Sequence, residues 1–424
     1  MFPRKIIQMG CAFLMWMGAP GIHAESSLSL QQSEQLALER DPVLKSHEQR
    51  VQALQHEAQA VDAWPDPRLR FGFANLPTDS FELDQEPMTQ ILLGYQQALP
   101  RGDSNHLNAE LKNVQADQQR ADRALRRRQV LLGVRKAWFQ AYLQDATYHI
   151  IEKNRLLFRQ QLDASESLYA AGKSQQQDVL QAELELSLLD DQLQQVASMQ
   201  EESRALLARW IGDIPAEQKL NTDSMPGKSG LQGDIDELLT RLDQHPELKK
   251  QMEAVKVSEK QVALAQQKYS PQWSFDVSYG RRDGNNADGS GRADFFSALV
   301  NFDVPLFTEH NQDQMLAASK SRLLAARYEQ TDLQWSLAAQ LKTLYARFGK
   351  LQQRLQLYQT RVLPQARQNA RAALNGYQSG VVSYSALTRA RSAELKAELQ
   401  SLKLTVEQAV VLAEIRFLIG ESAS

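Results

Sequence analysis

The chain has 424 residues, a formal net charge of −3 and a mean hydropathy of −0.47. That length allows two or three ordinary domains, and the near-neutral charge offers no electrostatic reason for a nucleic-acid partner. Beyond the first residues, no apolar run reaches the ~18 residues that a membrane-spanning helix needs.

The N-terminus, "MFPRKIIQMGCAFLMWMGAPGIHAESS", puts Arg4 and Lys5 ahead of a mostly apolar stretch at 6–17 and small residues up to Ala24. This is the three-part pattern of a secretory signal peptide, residues 1–24, cut after Ala24. Cys11 is the only cysteine and lies inside it. The apolar stretch continues past Cys11, which argues against lipid attachment there. The mature chain then has no thiol for a disulfide or for thiolate chemistry.

Residues 43–63 have a helical pattern, and "WPDP" at 64–67 stops it. Strands are predicted at 68–76 and 88–99. Residues 103–171 contain no proline and one glycine, Gly133. They predict one helix about 100 Å long. Gly172 breaks it, and a second helix is predicted over 175–210. The stretch "GDIPAEQKLNTDSMPGKSGLQGD", 212–234, is rich in turn formers and reads as a linker. The plan then recurs. Strands are predicted at 272–280 and 295–304 and helices at 312–377 and 384–418, with a kink at Pro364.

The recurrence is visible in the residues. "YAAG" at 169–172 returns as "YQSG" at 377–380, and "WIG" at 210–212 as "LIG" at 418–420, both 208 residues on. "DP" at 41–42 returns as "HP" at 245–246, and "PRLRF" at 67–71 as "PQWSF" at 271–275, both 204 on. "LP" at 99–100 returns as "VP" at 304–305, 205 on. Five landmarks in one order predict a tandem duplication, with repeats over 25–211 and 235–424. The shorter helices carry apolar residues at three-four spacing: Leu186, Leu189, Leu193 and Val196, then Leu395, Leu399, Leu402, Val406 and Ala409. That is coiled-coil spacing, as helices this long require.

The strands alternate. Trp273, Phe275, Val277 and Tyr279 oppose Ser274, Asp276, Ser278 and Gly280. Leu69, Phe71 and Phe73 oppose Arg68, Arg70 and Gly72, and Ile91, Leu93 and Tyr95 oppose Gln90, Gly94 and Gln96. Phe296, Ala298, Val300, Phe302 and Val304 oppose Ser297, Asn301 and Asp303. A sheet packed on a helix would show the same alternation. Long coiled-coil helices do not cap a small sheet, however, and the loop "RRDGNNADGSGRAD" at 281–294 is long and polar. The better reading turns the aromatics toward lipid. A sheet in a bilayer must close into a barrel, and four strands fall short of the 8 with which bacterial barrels begin. Three chains pooling four strands each would give 12.

At this point the sequence resembles the outer-membrane efflux proteins, the TolC-like channels. The resemblance rests on the duplicated plan, the YxxG turns and the strand-flanking prolines. The segments "WPDPRLRFGFANLP" at 64–77 and "EPMTQILLGYQQALPRGD" at 86–103 look most like the branch serving heavy-metal efflux. The resemblance implies a mostly helical chain with a small β part, and a homotrimer with a 12-stranded barrel in outer-membrane lipid. It implies a helical tunnel across the periplasm of a Gram-negative cell. It also implies a periplasmic adaptor (membrane fusion) protein and an inner-membrane pump of the resistance-nodulation-division type as partners, and export of heavy-metal cations. The lipid-facing residues would be Phe71, Phe73, Trp273, Phe275, Tyr279, Phe296 and Phe302. The turns at Gly172 and Gly380 would bound the periplasmic tip where the adaptor docks, with Asp178, Tyr377 and Arg389 in the gate region. Positions that carry aspartates in the best-known channels hold Ala386 and Arg389 here. A doubled acidic ring is therefore not inferred, and an Asp178–Arg389 pair is expected as a latch between adjoining hairpins.

No enzyme motif appears, and neither cofactor nor metal site is expected. His47, His56, His106, His149, His245 and His310 form no pair at ligand spacing, and Met88, Met199, Met225, Met252 and Met315 are scattered. "RADRALRRRQVLLGVRK" at 120–136 is strongly basic and is expected to be a solvated or tunnel-facing stripe. Two rivals remain: the same duct serving drug efflux or type I secretion, and a non-channel periplasmic coiled-coil scaffold. The scaffold would have no use for lipid-facing aromatics.

Overall fold

The computed structural model describes residues 27–221 and 230–420. The signal peptide, Cys11, Met225 and the middle of the linker lie outside the described residues. The chain opens with α1 (Leu30–Arg40) and α2 (Pro42–Asp62), then β1 (Arg68–Ala74) and β2 (Gln90–Ala98). It continues through α3 (Ser104–Ala170), 67 residues long, α4 (Gln176–Ile211) and the short α5 (Asp213–Glu217). The second half repeats the order: α6 (Ile235–Thr240), a 3-10 turn (Arg241–Gln244), α7 (Pro246–Gln267), β3 (Trp273–Arg281) and β4 (Phe295–Phe302). Then come α8 (Gln312–Leu357), a π-helical turn (Tyr358–Val362), α9 (Leu363–Gln378) and α10 (Tyr384–Ile419).

Local chemistry explains the boundaries. Asp41 caps α2 by accepting from the Leu44 N–H at 2.9 Å, with Pro42 in the first turn. In the second half His245 and Pro246 play the same parts for α7, His245 Nδ1 accepting from the Glu247 N–H at 3.3 Å. The recurring DP and HP dipeptides are thus one N-cap used twice. Helix α1 carries a capping box, Ser29 with Gln32, which the sequence reading passed over. At the predicted kink, Pro364 has no N–H to donate and its ring crowds the preceding turn, and the helix widens there to the π-helical turn at Tyr358–Val362.

The four strands form one antiparallel sheet in the order β1-β2-β3-β4, leaving β1 and β4 as open edges. The register aligns Phe71, Leu93, Tyr279 and Phe296 across one face. On the other face it aligns Arg70, Gly94, Ser278 and Ser297. Beneath the sheet the helices keep the same lateral order: α2 packs on α3, α3 on α7, and α7 on α8. Farther from the sheet, α4 packs on α3, and α10 packs on α3, α8 and α9.

Four clusters of buried side chains lie along the helices between their middle and the hairpin end. The first joins Val130, Val134 and Trp138 of α3 to Leu207 and Ile211 of α4 and to Val406 of α10. Ala216 and Leu220, from the predicted linker, are buried in it. The second joins Leu238, Leu341, Leu404 and Ile415. The third is the predicted α4 seam, Leu186, Leu189, Leu193 and Val196, packed on Ile151 and Phe158 of α3 and Leu395 of α10. The fourth lies at the hairpin tip.

The basic stretch at 120–136 departs from expectation. Most of its cations have partners within the chain. Arg126 pairs with Asp41 at 2.7 Å, Arg135 with Glu34 at 2.6 Å, and Lys136 with Glu414 at 2.5 Å. Arg128 donates to the carbonyls of Phe417 and Leu418 at the end of α10. This run of α3 therefore ties down α1, the start of α2 and the last turn of α10. Burial raises the Asp41 pKa, but Arg126 and the Leu44 and Val43 N–H groups outweigh it and hold the carboxyl below its usual value.

Candidate functional site at the hairpin tip and the sheet face

Both tip turns are built alike. Gly172 has φ +69° and Gly380 φ +76°, where an L side chain is strained. At the first turn the Gly172 N–H donates to Tyr169 O (2.9 Å) and the Lys173 N–H to Leu168 O (2.8 Å). At the second the Gly380 N–H donates to Tyr377 O (3.0 Å) and the Val381 N–H to Gly376 O (2.9 Å). This pattern closes a helix C-terminus on a left-handed residue. A Cβ on either glycine would meet nothing within 4 Å, so the turns face open space. Val381, 81% exposed, and Tyr169 project there as apolar surface.

The three gate candidates occupy different environments. Tyr377 is buried at 7% exposure. Its hydroxyl lies 3.1 Å from Ser165 Oγ, and its ring meets Tyr384 edge-on at 5.5 Å. It thus ties the end of α9 to α3 and α10, and Ala182 of α4 and Leu387 complete the cluster. Asp178 is half-buried in the first turn of α4, where its charge complements the helix dipole. Arg389 is exposed on α10. Among the described residues no ion pair joins Asp178 to Arg389 within one chain, so the expected latch is not formed inside the protomer. Arg391, two residues on, is buried and donates to Glu394 at 2.9 Å.

The sequence reading missed Tyr384 and Arg391. Their spacing of seven, with Thr388 between them, was the available signal of one helix face. Tyr384 is fully buried, and burial pushes its hydroxyl pKa up to about 12.

At the sheet, Phe71, Phe73, Trp273, Phe275, Tyr279, Phe296 and Phe302 are all exposed, Phe71 at 77%. On the polar face burial is confined to the middle of the sheet: Asp276 is 6% exposed and Gly94 and Gly280 are buried, whereas Arg68 and Arg70 of β1 and Ser297 and Asn301 of β4 are exposed. Arg70 of β1 reaches over β2 to pair with Asp276 of β3. Gly94 stands between them, and a Cβ there would lie in ordinary contact with Arg70, 3.5 Å from its Nε. Three apolar residues interrupt the polar face: Leu92 and Phe295, both register partners of Gly280, and Leu299. Leu299 shares a face with Asp276, its register partner, and is exposed.

Among the described residues no three of His, Cys, Asp and Glu are grouped to hold a metal ion, and no helix is long and apolar enough to cross a membrane.

Comparison with known proteins agrees with this architecture. Residues 34–213 and 240–421 match the family described as outer membrane efflux protein, and the chain belongs to that family. No curated protein matches the sequence. Among solved structures, the outer-membrane channel OprN is 20% identical, with 93% of this chain and 90% of that chain covered and a TM-score of 0.77. CusC, described by its transmembrane channel formation, is 15% identical over 93% and 92% of the two chains, with a TM-score of 0.76. VceC from Vibrio cholerae is 16% identical over 93% and 97%, with a TM-score of 0.74. At these identities the likeness establishes the TolC-like channel fold and leaves the cargo open.

Proposed function

We propose that the chain is the outer-membrane exit duct of a tripartite efflux pump, working as a homotrimer and carrying heavy-metal cations out of a Gram-negative cell. The observation that carries this reading is the sheet. It has an exposed aromatic face, a mainly polar opposite face and two unpaired edges. Unpaired strand edges are not tolerated in hydrocarbon, and four strands are too few for a barrel. Three copies closing into 12 strands satisfy every backbone group and turn the aromatics to lipid. The helices then continue as a tunnel with the Gly172 and Gly380 turns at its far end. There they would meet a periplasmic adaptor and, through it, an inner-membrane pump of the resistance-nodulation-division type. Each sequence repeat supplies two strands and one long hairpin to this assembly. The metal assignment rests on the segments at 64–77 and 86–103.

Deleting the gene and exposing the strain to a panel of metal salts and drugs tests the cargo. Sensitivity to metals, restored by the intact gene, supports the reading. Sensitivity to drugs alone moves the chain to drug efflux. Mass measurement in mild detergent tests the assembly, and a stable monomer would end the trimeric reading.

A further inference from the structure

We infer that the lower half of α8 lines the tunnel with an anion-binding stripe, Arg347, Lys350, Arg354 and Arg361, which takes solutes bearing several phosphate or carboxylate groups. The inference rests on the trimeric duct proposed above and not on its cargo. A bare metal cation is repelled by such a wall, so a metal would have to pass it within a complex of net negative charge.

The sequence sets this stretch apart. Between Asp332 and Glu394 stand nine Lys and Arg residues and no Asp or Glu. The matching run of α3 in the first repeat is mixed, with Asp145 and Glu152 among Lys153, Arg155 and Arg159. Two of the nine are met inside the chain, Arg367 by Glu398 at 2.9 Å and Arg391 by Glu394. Among the described residues Arg347, Arg354 and Arg361 have no ion-pair partner, and Lys350 donates only to the Gln353 amide at 3.4 Å. All four are exposed.

Helical periodicity puts them on one line. Ser336, Gln340, Thr343, Arg347, Lys350 and Arg354 follow one another at three-four spacing, all polar and all exposed. Arg361 comes seven residues further on, within the π-helical turn. The buried face of α8, with Leu337, Leu341, Phe348 and Leu351, lies about a third of a turn away. That face and the flank beyond it, with Ala338 and Tyr345, pack with Leu238 of α6 and Leu242 of the 3-10 turn. In the first repeat α1 packs on α3 as α6 packs on α8 in the second. By the duplication these added elements lie on one side of the helix row. Turned toward the threefold axis they would fill the tunnel, so they belong outside, and the bare line of α8 faces the lumen.

The spacing sets what the stripe holds. Rungs three and four residues apart are separated by about 4.5 and 6 Å along the axis. Both are shorter than the screening length of about 8 Å at physiological salt, so neighbouring cations act on one ligand together. A monovalent ion meets one rung. A ligand with several phosphate or carboxylate groups spans two, and the guanidinium fork matches either group with paired hydrogen bonds. From Arg347 to Arg361 the stripe runs about 21 Å, and three copies surround that length of tunnel with it.

Inorganic tripolyphosphate is the probe. Its binding to the full chain, purified from membranes in mild detergent, is followed by isothermal titration calorimetry at low and at physiological salt. The test variant combines Arg347→Gln, Lys350→Gln, Arg354→Gln and Arg361→Gln, and a control combines Lys45→Gln and Arg50→Gln on α2. The expected result is binding by the unaltered trimer that weakens with salt, at least about tenfold weaker binding by the quadruple variant, and no change in the control. No binding by the unaltered trimer, equal affinity in the quadruple variant, or an equal loss in the control overturns the stripe. Because no cysteine follows Cys11, Lys350→Cys treated with a bulky methanethiosulfonate tests the placement. Single-channel conductance in planar bilayers should fall, and unchanged conductance overturns the lumen assignment. A quadruple variant that separates into monomers assigns these cations to the contact between copies and overturns the inference, while the trimer of the unaltered protein stands. A monomeric unaltered protein overturns the duct reading itself, and the inference with it.

Discussion

Adding one methyl group at Gly133 should expose how tightly α3 and α4 are packed. A Cβ there would lie 2.3, 2.6 and 2.9 Å from Trp210 Cζ2, Cη2 and Cε2. Carbon atoms in contact stand about 3.5–4.0 Å apart, so the indole must retreat by more than 1 Å. Two terms oppose each other. Alanine in a helix interior is favoured over glycine by about 1 kcal/mol. Overpacking costs about 1–3 kcal/mol, because an indole is a rigid plate and Trp210 also packs on the cluster holding Leu207 and Ile211. Gly133→Ala alone should therefore be neutral to destabilising by about 2 kcal/mol. In a Trp210→Ala background the same change should stabilise by about 1 kcal/mol. The readable quantity is the coupling, about 1–3 kcal/mol, from denaturant unfolding of the detergent-solubilised protein followed by far-UV circular dichroism. If Gly133→Ala stabilises equally in both backgrounds, the indole does not occupy the space that glycine leaves, and the packing argument fails.

Phe275→Arg should impair membrane assembly, since arginine at the bilayer midplane costs about 2–4 kcal/mol, whereas Ser274→Arg should assemble and at most alter conductance. The opposite ranking in outer-membrane fractions would reverse the two faces. Alanine at Gly172 and Gly380 forces a left-handed residue at about 1 kcal/mol each, with no steric clash. Transport should fall while trimer yield holds, and full resistance in the double variant would remove the turns from the docking site. Because no ion pair joins Asp178 to Arg389 among the described residues, a latch requires them to meet across copies. Non-additive conductance changes from Asp178→Asn and Arg389→Ala in planar bilayers would reveal that pairing, and additive changes would dismiss it. His245 is held neutral by burial and by nearby Arg128, its pKa lowered from 6.5 to about 4. Its contribution to stability is complete above pH 6.5. It is lost as pH falls toward 4, where the unfolded chain takes up a proton that the fold refuses, to a limit of about 3 kcal/mol. His245→Asn keeps an N-cap acceptor and cannot titrate, so it should flatten that limb of the stability curve; an unchanged limb would clear His245.

The elements that could be read from the chain alone are those set by local rules. Proline at 65 and 67, glycine at 172 and 380, and strict alternation at 273–280 act on neighbouring backbone, so helices, turns and strand faces followed from them. The duplication was equally plain, because the DP and HP caps and the YxxG turns are the same local device placed about two hundred residues apart. Even the need for several copies was legible, since four alternating strands cannot satisfy their own edges in lipid.

Pairings between distant segments were not legible. Nothing near Arg126 or Arg135 indicates that Asp41 and Glu34 stand opposite, so a run of charge that looked solvated turned out to hold helices together. Tyr377 was placed in the gate region by resemblance, and nothing near it in sequence indicates that it is buried against Ser165, more than two hundred positions away. That Leu299 stands beside Asp276 follows only from the strand register. Local sequence sets the state of each element through backbone sterics and periodicity. Which charge finds which partner, and which face remains uncovered, depends on contacts between helices about 100 Å long, and only the assembled fold decides those.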